Sequence, residues 1–390
     1  MIITGTPVNM SEGIASDNHF IWIANSAGGA SSTGYVLKVN IETSAATIID
    51  DPSFNSPYGI ASTGTDVFVT NKGNNTLSKI NIATSQVTVI SGASFQSPNS
   101  ATWDGSHLWV GNDSGGVVEL DGTGAVIHTY SDSLLSVYNY GFNGQLSSDG
   151  TNLWVASYAG TNTDSSGCKG GCVVKIDIAS QTVVGSFTRS SILGFRPDTV
   201  FSNGTTVYIA DDNQDTNLWS LDIATGAITM NPTNGIINDF YSATSDGSSL
   251  YMGQSYCGSS PIRCIPVADM AGSSLVALNN TPLHDISSGF LAGEVTWSRG
   301  CLWWAGADGT VSDGLLRICD SIAPIPTPTT APATTTSNGS TTTDPNGLAA
   351  TGGSLGTLGA ASFVLLLGGG LSLMVARRRA RTSKVARITE

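Results

Sequence analysis

The sequence predicts an all-β protein, a seven-bladed β-propeller, followed by a Pro/Thr-rich stalk and one C-terminal transmembrane helix. Three observations lead there: an internal repeat, a strand-and-turn composition, and a tail whose composition differs from the rest. Seven segments align: "GIASDNHFIWIAN" from Gly13, "GIASTGTDVFVTN" from Gly59, "SATWDGSHLWVGN" from Ser100, "QLSSDGTNLWVAS" from Gln145, "TVFSNGTTVYIAD" from Thr199, "SATSDGSSLYMGQ" from Ser242 and "EVTWSRGCLWWAG" from Glu294. Their tenth place is aromatic throughout: Trp22, Phe68, Trp109, Trp154, Tyr208, Tyr251 and Trp303, spaced by 46, 41, 45, 54, 43 and 52 residues. A period of that length with strand-like content indicates radially repeated sheets rather than a helical array.

Composition agrees with the repeat. Only 12% of the 390 residues are charged and 46 are glycine, which is poor helix material and good strand-and-turn material. The 40% of hydrophobic residues suffice for a core.

Each copy reads as four short strands, a to d. Strand a is apolar and small, and a tight turn follows it: Asp104-Gly105, Asp149-Gly150, Asn203-Gly204 or Asp246-Gly247. Strand b carries the aromatic. One such sheet cannot cover both its faces, but seven stacked around an axis can. The seventh copy ends at "LLRICD" without an outer strand. The β-prone residues 1–5 are expected to supply it, closing the ring and completing a propeller over residues 1–320.

The stretch "DVFVTNKGNNTLSKINIATSQVTVI" resembles the YVTN and NHL class of bacterial propeller repeats. The resemblance covers residues 1–320 and implies the fold. It says little of function, since such propellers bind proteins, sugars or small molecules and only some are enzymes.

After the propeller, residues 321–347 are dominated by Pro and Thr and form no core. They read as an extended spacer, reaching on the order of 80 Å if polyproline-like. Residues 348–390 follow as a unit. The apolar run 354–376 is long enough to span a bilayer, and the arginines behind it place that end in the cytoplasm. Ahead of the run stands "LAATG", Leu348, Ala349, Ala350, Thr351 and Gly352. The order of motif, apolar run and basic end resembles an LAXTG cell-wall sorting signal, similar to the LPXTG signals of Gram-positive surface proteins. That resemblance implies a sortase as partner, cleavage between Thr351 and Gly352, and linkage of Thr351 to peptidoglycan. Ala349 stands where the usual signal has Pro, which points to the variant sortases of high-GC Gram-positive bacteria. A plain single-pass anchor is the alternative. A sortase substrate must be exported, so either the tail is a membrane anchor inserted without a cleaved leader, or the real start lies upstream of Met1. Residues 1–5 already complete the ring, which favours the second and an in-frame hydrophobic leader encoded upstream of Met1.

Charge and cysteine usage bear on partners. Six of the 16 basic residues follow Ala376, leaving 28 acidic against 10 basic residues before Arg377. Such a surface repels phosphate backbones, so nucleic acid is not an expected partner. The six cysteines fall as close pairs, Cys168/Cys172, Cys257/Cys264 and Cys301/Cys319. Disulfides in an oxidising compartment are expected, although spacing alone leaves the connectivity open. No histidine or CxxC accompanies a pair, which disfavours zinc.

No catalytic motif stands out. The four histidines are scattered, and neither a nucleophile elbow nor a phosphate-cradling loop occurs. Streptogramin lyases are similar propellers, but their clustered histidines are missing here. The axis is therefore the expected place for a site, because strand a lies innermost and its first residues face the channel mouth. That register brings forward Glu12, Tyr58, Asn99, Gln145, Asp198, Tyr241 and Glu294. A ring of oxygen ligands suits Ca²⁺ or Mg²⁺, or hydrogen bonding to a sugar. A partial calcium-loop pattern, Asp211, Asn213 and Asp215, lacks the glycine an EF-hand needs. The longest b–c loops carry cysteine pairs of their own, which suggests a pre-ordered binding face. The expected function is a surface-displayed binding module for a protein or glycan. The alternatives are a divalent-metal-dependent lactonase- or lyase-like enzyme with its site in the central channel, and a structural surface protein.

Overall fold

In a computed structural model of the chain, the described residues are Ile2–Ile3, Val8, most of 11–319 and Phe363–Val364. Within 11–319 the segments 30–32, 114–115, 133, 136–142, 158–170, 188–196, 212–217, 232–239, 255–264, 271–274, 279–293 and 307–313 lie outside the described residues. The same holds for the stalk, the sorting motif and the apolar run apart from Phe363–Val364, whose backbone pairs with Thr244 and Ser245. Among the described residues no helix is long and apolar enough to cross a membrane.

Seven antiparallel sheets form the blades, each in the order a-b-c-d. The a strands are Ser11–Ser16, Pro57–Ser62, Pro98–Trp103, Asn143–Ser148, Pro197–Ser202, Phe240–Ser245 and Val295–Ser298. Each packs on the a strand of the next blade, and the last packs on the first, so the ring is closed. The three prolines that open a strands sit at first positions, where a missing N–H costs no ladder bond. In the seventh blade the outer strand is Ile2–Ile3, pairing with Leu316 and Leu315 of strand c, Gly314–Cys319. Chain start and propeller end thus share one sheet.

Local chemistry explains the aromatic repeat. In blade 1 the carboxylate of Asp17 accepts the N–H groups of His19 and Phe20 through Oδ1 and the Trp22 indole N–H through Oδ2 at 2.9 Å. Asp104 does the same for Trp109, and Asp149 for Trp154, each at 2.8 Å. Asp246 accepts the Tyr251 hydroxyl at 2.8 Å. One carboxylate therefore shapes the a–b turn and anchors the large side chain of strand b. Phe68 has no polar handle, and its turn carries Thr63, whose hydroxyl accepts only from the turn itself.

The apolar core lies between blades. Ile14, Ile21, Ile23, Leu37 and Val39 of blade 1 pack with Trp303, Ala305 and Leu315 of blade 7. The cross-strand partner of the aromatic on strand c reaches onward to the next blade. Lys38 lies 5.0 Å from the Trp22 ring centre and donates to the Ile82 carbonyl of blade 2 at 2.6 Å. Lys79 covers Phe68 and donates to Thr123 O of blade 3 at 3.3 Å. Arg317 covers Trp303 and donates to Ile41 O of blade 1 at 3.0 Å. In blade 3 the position is Glu119, which accepts from Gln181 of blade 4.

The inner strands approach so closely that Gly59 has no room for a side chain. A Cβ there would lie 2.7 Å from the backbone of Ser100 and Ala101. Gly59→Ala is expected to lower stability by about 1–3 kcal/mol through forced displacement of blade 3. Asp149→Ala strands a buried indole N–H and two turn N–H groups, so a loss of about 1–3 kcal/mol is expected. Asn203→Ala, which removes turn bonds alone, is expected to cost less. Thermal melting of the three variants checks the order, and equal shifts for Asp149→Ala and Asn203→Ala would contradict the anchoring role.

Candidate axial site

A repeated irregularity puts polar side chains at the axis. Strand a is bulged near its first residue in six blades. In blade 1 Ser11 pairs with Asn25 and Gly13 with Ala24, so Glu12 has no partner across the ladder. Asn99, Asp198 and Tyr241 hold the same place in blades 3, 5 and 6. In blade 2 Tyr58 and Gly59 stand between the Pro57–Asn71 and Ile60–Val69 pairs, and in blade 4 Gly144 and Gln145 between Asn143–Ser157 and Leu146–Val155. A bulge re-aims the extra side chain. Glu294 precedes its strand, and its carbonyl accepts the Ala305 N–H at 2.9 Å. The backbones of Gln145 and Tyr241 lie in register with the others, but their side chains are outside the described ones.

The described members are deeply buried: Glu12 and Glu294 are 1% exposed, Asn99 3%, Tyr58 5% and Asp198 9%. Glu12 Oε1 accepts from the Ser26 hydroxyl at 2.6 Å. Asn99 donates through Nδ2 to Asp113 Oδ1, and Lys72 pairs with Asp113 Oδ2 at 2.6 Å while lying over the Tyr58 ring. Among the described residues Glu12 Oε2, Glu294 Oε2 and Asn99 Oδ1 have no hydrogen-bond partner. Ser26, Lys72 and Asp113 escaped the sequence reading. They share one signal, the place just after each thirteen-residue copy, at the end of strand b nearest the start of strand a.

The charges of this cluster act on one another. Burial pushes the Glu12 carboxyl up to about 8, against the opposing pull of Ser26 and Lys72. Burial, then Glu12 and Asp198, raise Glu294 well above the carboxylate range despite a hydrogen bond with Ser242. The Tyr58 phenol is raised by burial and by Glu12, Asp113, Glu294 and Asp198 together, which places it among all four acids. Burial also raises Asp113, with Lys72 and Asn99 opposing. Desolvation by burial is the largest cause for all four groups.

Among the described residues no group of three His, Cys, Asp or Glu side chains is placed to hold a metal ion. Asp211 ends a b strand, while Asn213 and Asp215 lie outside the described residues. Cys301 and Cys319 form a disulfide between paired residues of strands b and c in blade 7. Cys172 is also disulfide-bonded. Cys168, Cys257 and Cys264 lie outside the described residues. His107 belongs to the a–b turn region, 3.5 Å from Asp104 and 3.9 Å from Glu119, and takes no part in the axial cluster.

No protein-family model matches the sequence, and no curated protein matches it. Solved structures do match in fold. Virginiamycin B lyase from Staphylococcus aureus superposes with a TM-score of 0.60 at 13% identity, over 81% of this chain and 97% of that one. The extracellular domain of a protein described as a one-component system from B. thetaiotaomicron gives 0.57 at 15% identity, over 81% of this chain and 41% of that one. A chain of the mitotic checkpoint complex gives 0.57 at 14%, over 80% of this chain and 90% of that one. At such identities the likeness concerns the propeller fold alone.

The raised carboxyls have a signed consequence. Between an unfolded value of about 4.5 and a folded value of about 8 the native state keeps a proton that the unfolded state has released. Glu12 therefore contributes stability fully below that window and loses it as pH rises through 8, at roughly 1.4 kcal/mol per pH unit. Glu294, raised in the same direction, adds to the same trend. Glu12→Gln is expected to melt like the parent at pH 4 and above it at pH 8.5. Thermal melts across that range check this, and parallel curves would show that the native carboxyl is already ionised.

Proposed function

We propose that the protein is a binding module displayed outside a Gram-positive cell. The propeller takes a protein or glycan ligand at the axial mouth, on the face where strands a begin and the b–c loops emerge. The observation that carries this reading is the set of buried oxygens, Glu12 Oε2, Glu294 Oε2 and Asn99 Oδ1, left without protein partners among the described residues. Buried polar atoms are costly to leave unpaired, so three at the starts of a strands favour an external partner. The Cys301–Cys319 disulfide supports an oxidising compartment. Spacer 321–347, the Leu348–Gly352 motif, the apolar run and the terminal arginines support a propeller held away from the membrane by a stalk and joined to peptidoglycan through Thr351. The metal-enzyme alternative needs clustered ligands, and none is placed among the described residues.

Two measurements test the reading. Full-length protein screened on extracellular-protein and glycan arrays is expected to find a ligand whose affinity falls at least tenfold in Glu12→Gln or Glu294→Gln, about 1.4 kcal/mol or more. Arrays without a hit would favour a structural role. In the native host, muramidase-released protein is expected to end at Thr351 by mass spectrometry. Recovery of chains that still carry Glu390 in the membrane fraction would replace wall linkage with a plain anchor.

A further inference from the structure

We infer that the axial mouth recognises a primary ammonium group. The inference rests on the axial-site reading above and names the ligand chemistry it requires. Beside the open hydroxyls of Ser100 and Thr199, the ring residues leave three acceptors open among the described residues: a carboxyl oxygen of Glu12, one of Glu294 and the amide oxygen of Asn99. The Asn99 donor is committed to Asp113, the Ser26 hydroxyl to Glu12, and the Lys72 ammonium to Asp113. An ammonium offers three N–H donors and no acceptor, which matches that inventory. A divalent metal needs several ligands at one point, and no group of three candidate side chains is so placed among the described residues.

Charge points the same way. Glu12, Asp113, Glu294 and Asp198 all act on the Tyr58 phenol, and Lys72, paired with Asp113, lies over its ring. A bound ammonium supplies the second positive charge that these buried acids call for, and it stabilises their ionised forms. Upstream of Arg377 the chain carries 28 acidic against 10 basic residues, a field that draws cations towards the surface. The shared chemistry is the primary amine, whether free or on a lysine side chain of a partner protein.

Binding must displace the proton that Glu12 holds near neutrality. It transfers to buffer as the N–H···O contact forms, so the balance is one ammonium bound and about one proton released. The groups facing Glu12 and Glu294 are Lys72, Tyr58, Asp113, Asp198 and the hydroxyls of Ser26 and Ser242.

Titration calorimetry on the full-length protein, with n-butylammonium and an acetylated Gly-Lys-Gly amide as probes, tests this. Heats in two buffers of different ionisation enthalpy report proton release. Expected are binding by at least one probe, about one proton released at pH 7, and affinity rising on the order of tenfold per pH unit below pH 8. Glu12→Gln is expected to weaken binding at least tenfold and to flatten the pH dependence, with its melting curve confirming the fold. Tighter binding of the peptide assigns the amine to a protein partner, and equal binding assigns it to free amines. Absence of binding by both probes overturns the ammonium inference. Binding of CaCl₂ or glucose instead, lost in Glu12→Gln, overturns it while sustaining the axial site. An array ligand indifferent to Glu12→Gln and Glu294→Gln overturns the axial site itself.

Discussion

The blades are held by one repeated contact, the aromatic of strand b fixed at one end and covered at the other. The Asp five residues before it accepts its N–H or O–H and two turn amides in four blades. The strand-c residue across from it then reaches the following blade, as Lys38, Lys79, Glu119 and Arg317 do. In those four blades the aromatic is thus both a core residue and part of an inter-blade contact. The cationic head satisfies a carbonyl at the next c–d turn while its methylenes and charge cover the ring, so little is left unsatisfied. Because the contact runs from one blade to the next, stability depends on having a next blade everywhere.

Closure follows from that dependence. Blade 7 repeats the device onto blade 1, with Arg317 donating to Ile41 O beside a hydroxyl bond between Ser16 and Ser298 at 2.7 Å. Ile2–Ile3 adds the outer strand, and the Cys301–Cys319 bond ties the two strands inside it. These elements gather where the chain's two ends meet. The chain passes from Ile3 in blade 7 to Ser11 in blade 1, so backbone crosses that seam, and the break lies inside blade 7 between strand c and the outer strand, where Ile2–Ile3 pairs with Leu316 and Leu315.

The repeat made the fold legible. A tenth-place aromatic, a fifth-place turn residue and small residues opening strand a recur in the sequence because the geometry recurs. The ring position of Glu12, Tyr58, Asn99 and Asp198 was legible from the same register. The bulge that re-aims those residues was not, since it is a property of pairing between strands and leaves no residue signature of its own. Ser26, Lys72 and Asp113 went unnoticed because they differ in type from blade to blade, and their shared place shows only once the b strands are aligned in space. The inter-blade role of Lys38, Lys79 and Arg317 was hidden for another reason. An isolated base on a strand reads as a solvated charge, and only the neighbouring blade reveals its acceptor.

The axial cluster and the blade seams therefore obey opposite logic. At the seams Lys38, Lys79, Glu119 and Arg317 find partners in the next blade, and their burial is compensated. At the mouth the bulges of the a strands set Glu12, Tyr58, Asn99 and Asp198 outside the ladder, and no further blade exists to meet them. Burial consequently raises the carboxyls of Glu12 and Glu294, and the hydroxyls of Ser26 and Ser242 offset it only in part. A hydrophobic pair at these two positions would satisfy the fold at lower cost, so stability alone does not account for the acids. What a buried, unpartnered acid retains, and a leucine does not, is differential affinity for a donor-bearing ligand. The term that weakens the fold above neutral pH is the same term that a bound cation would remove.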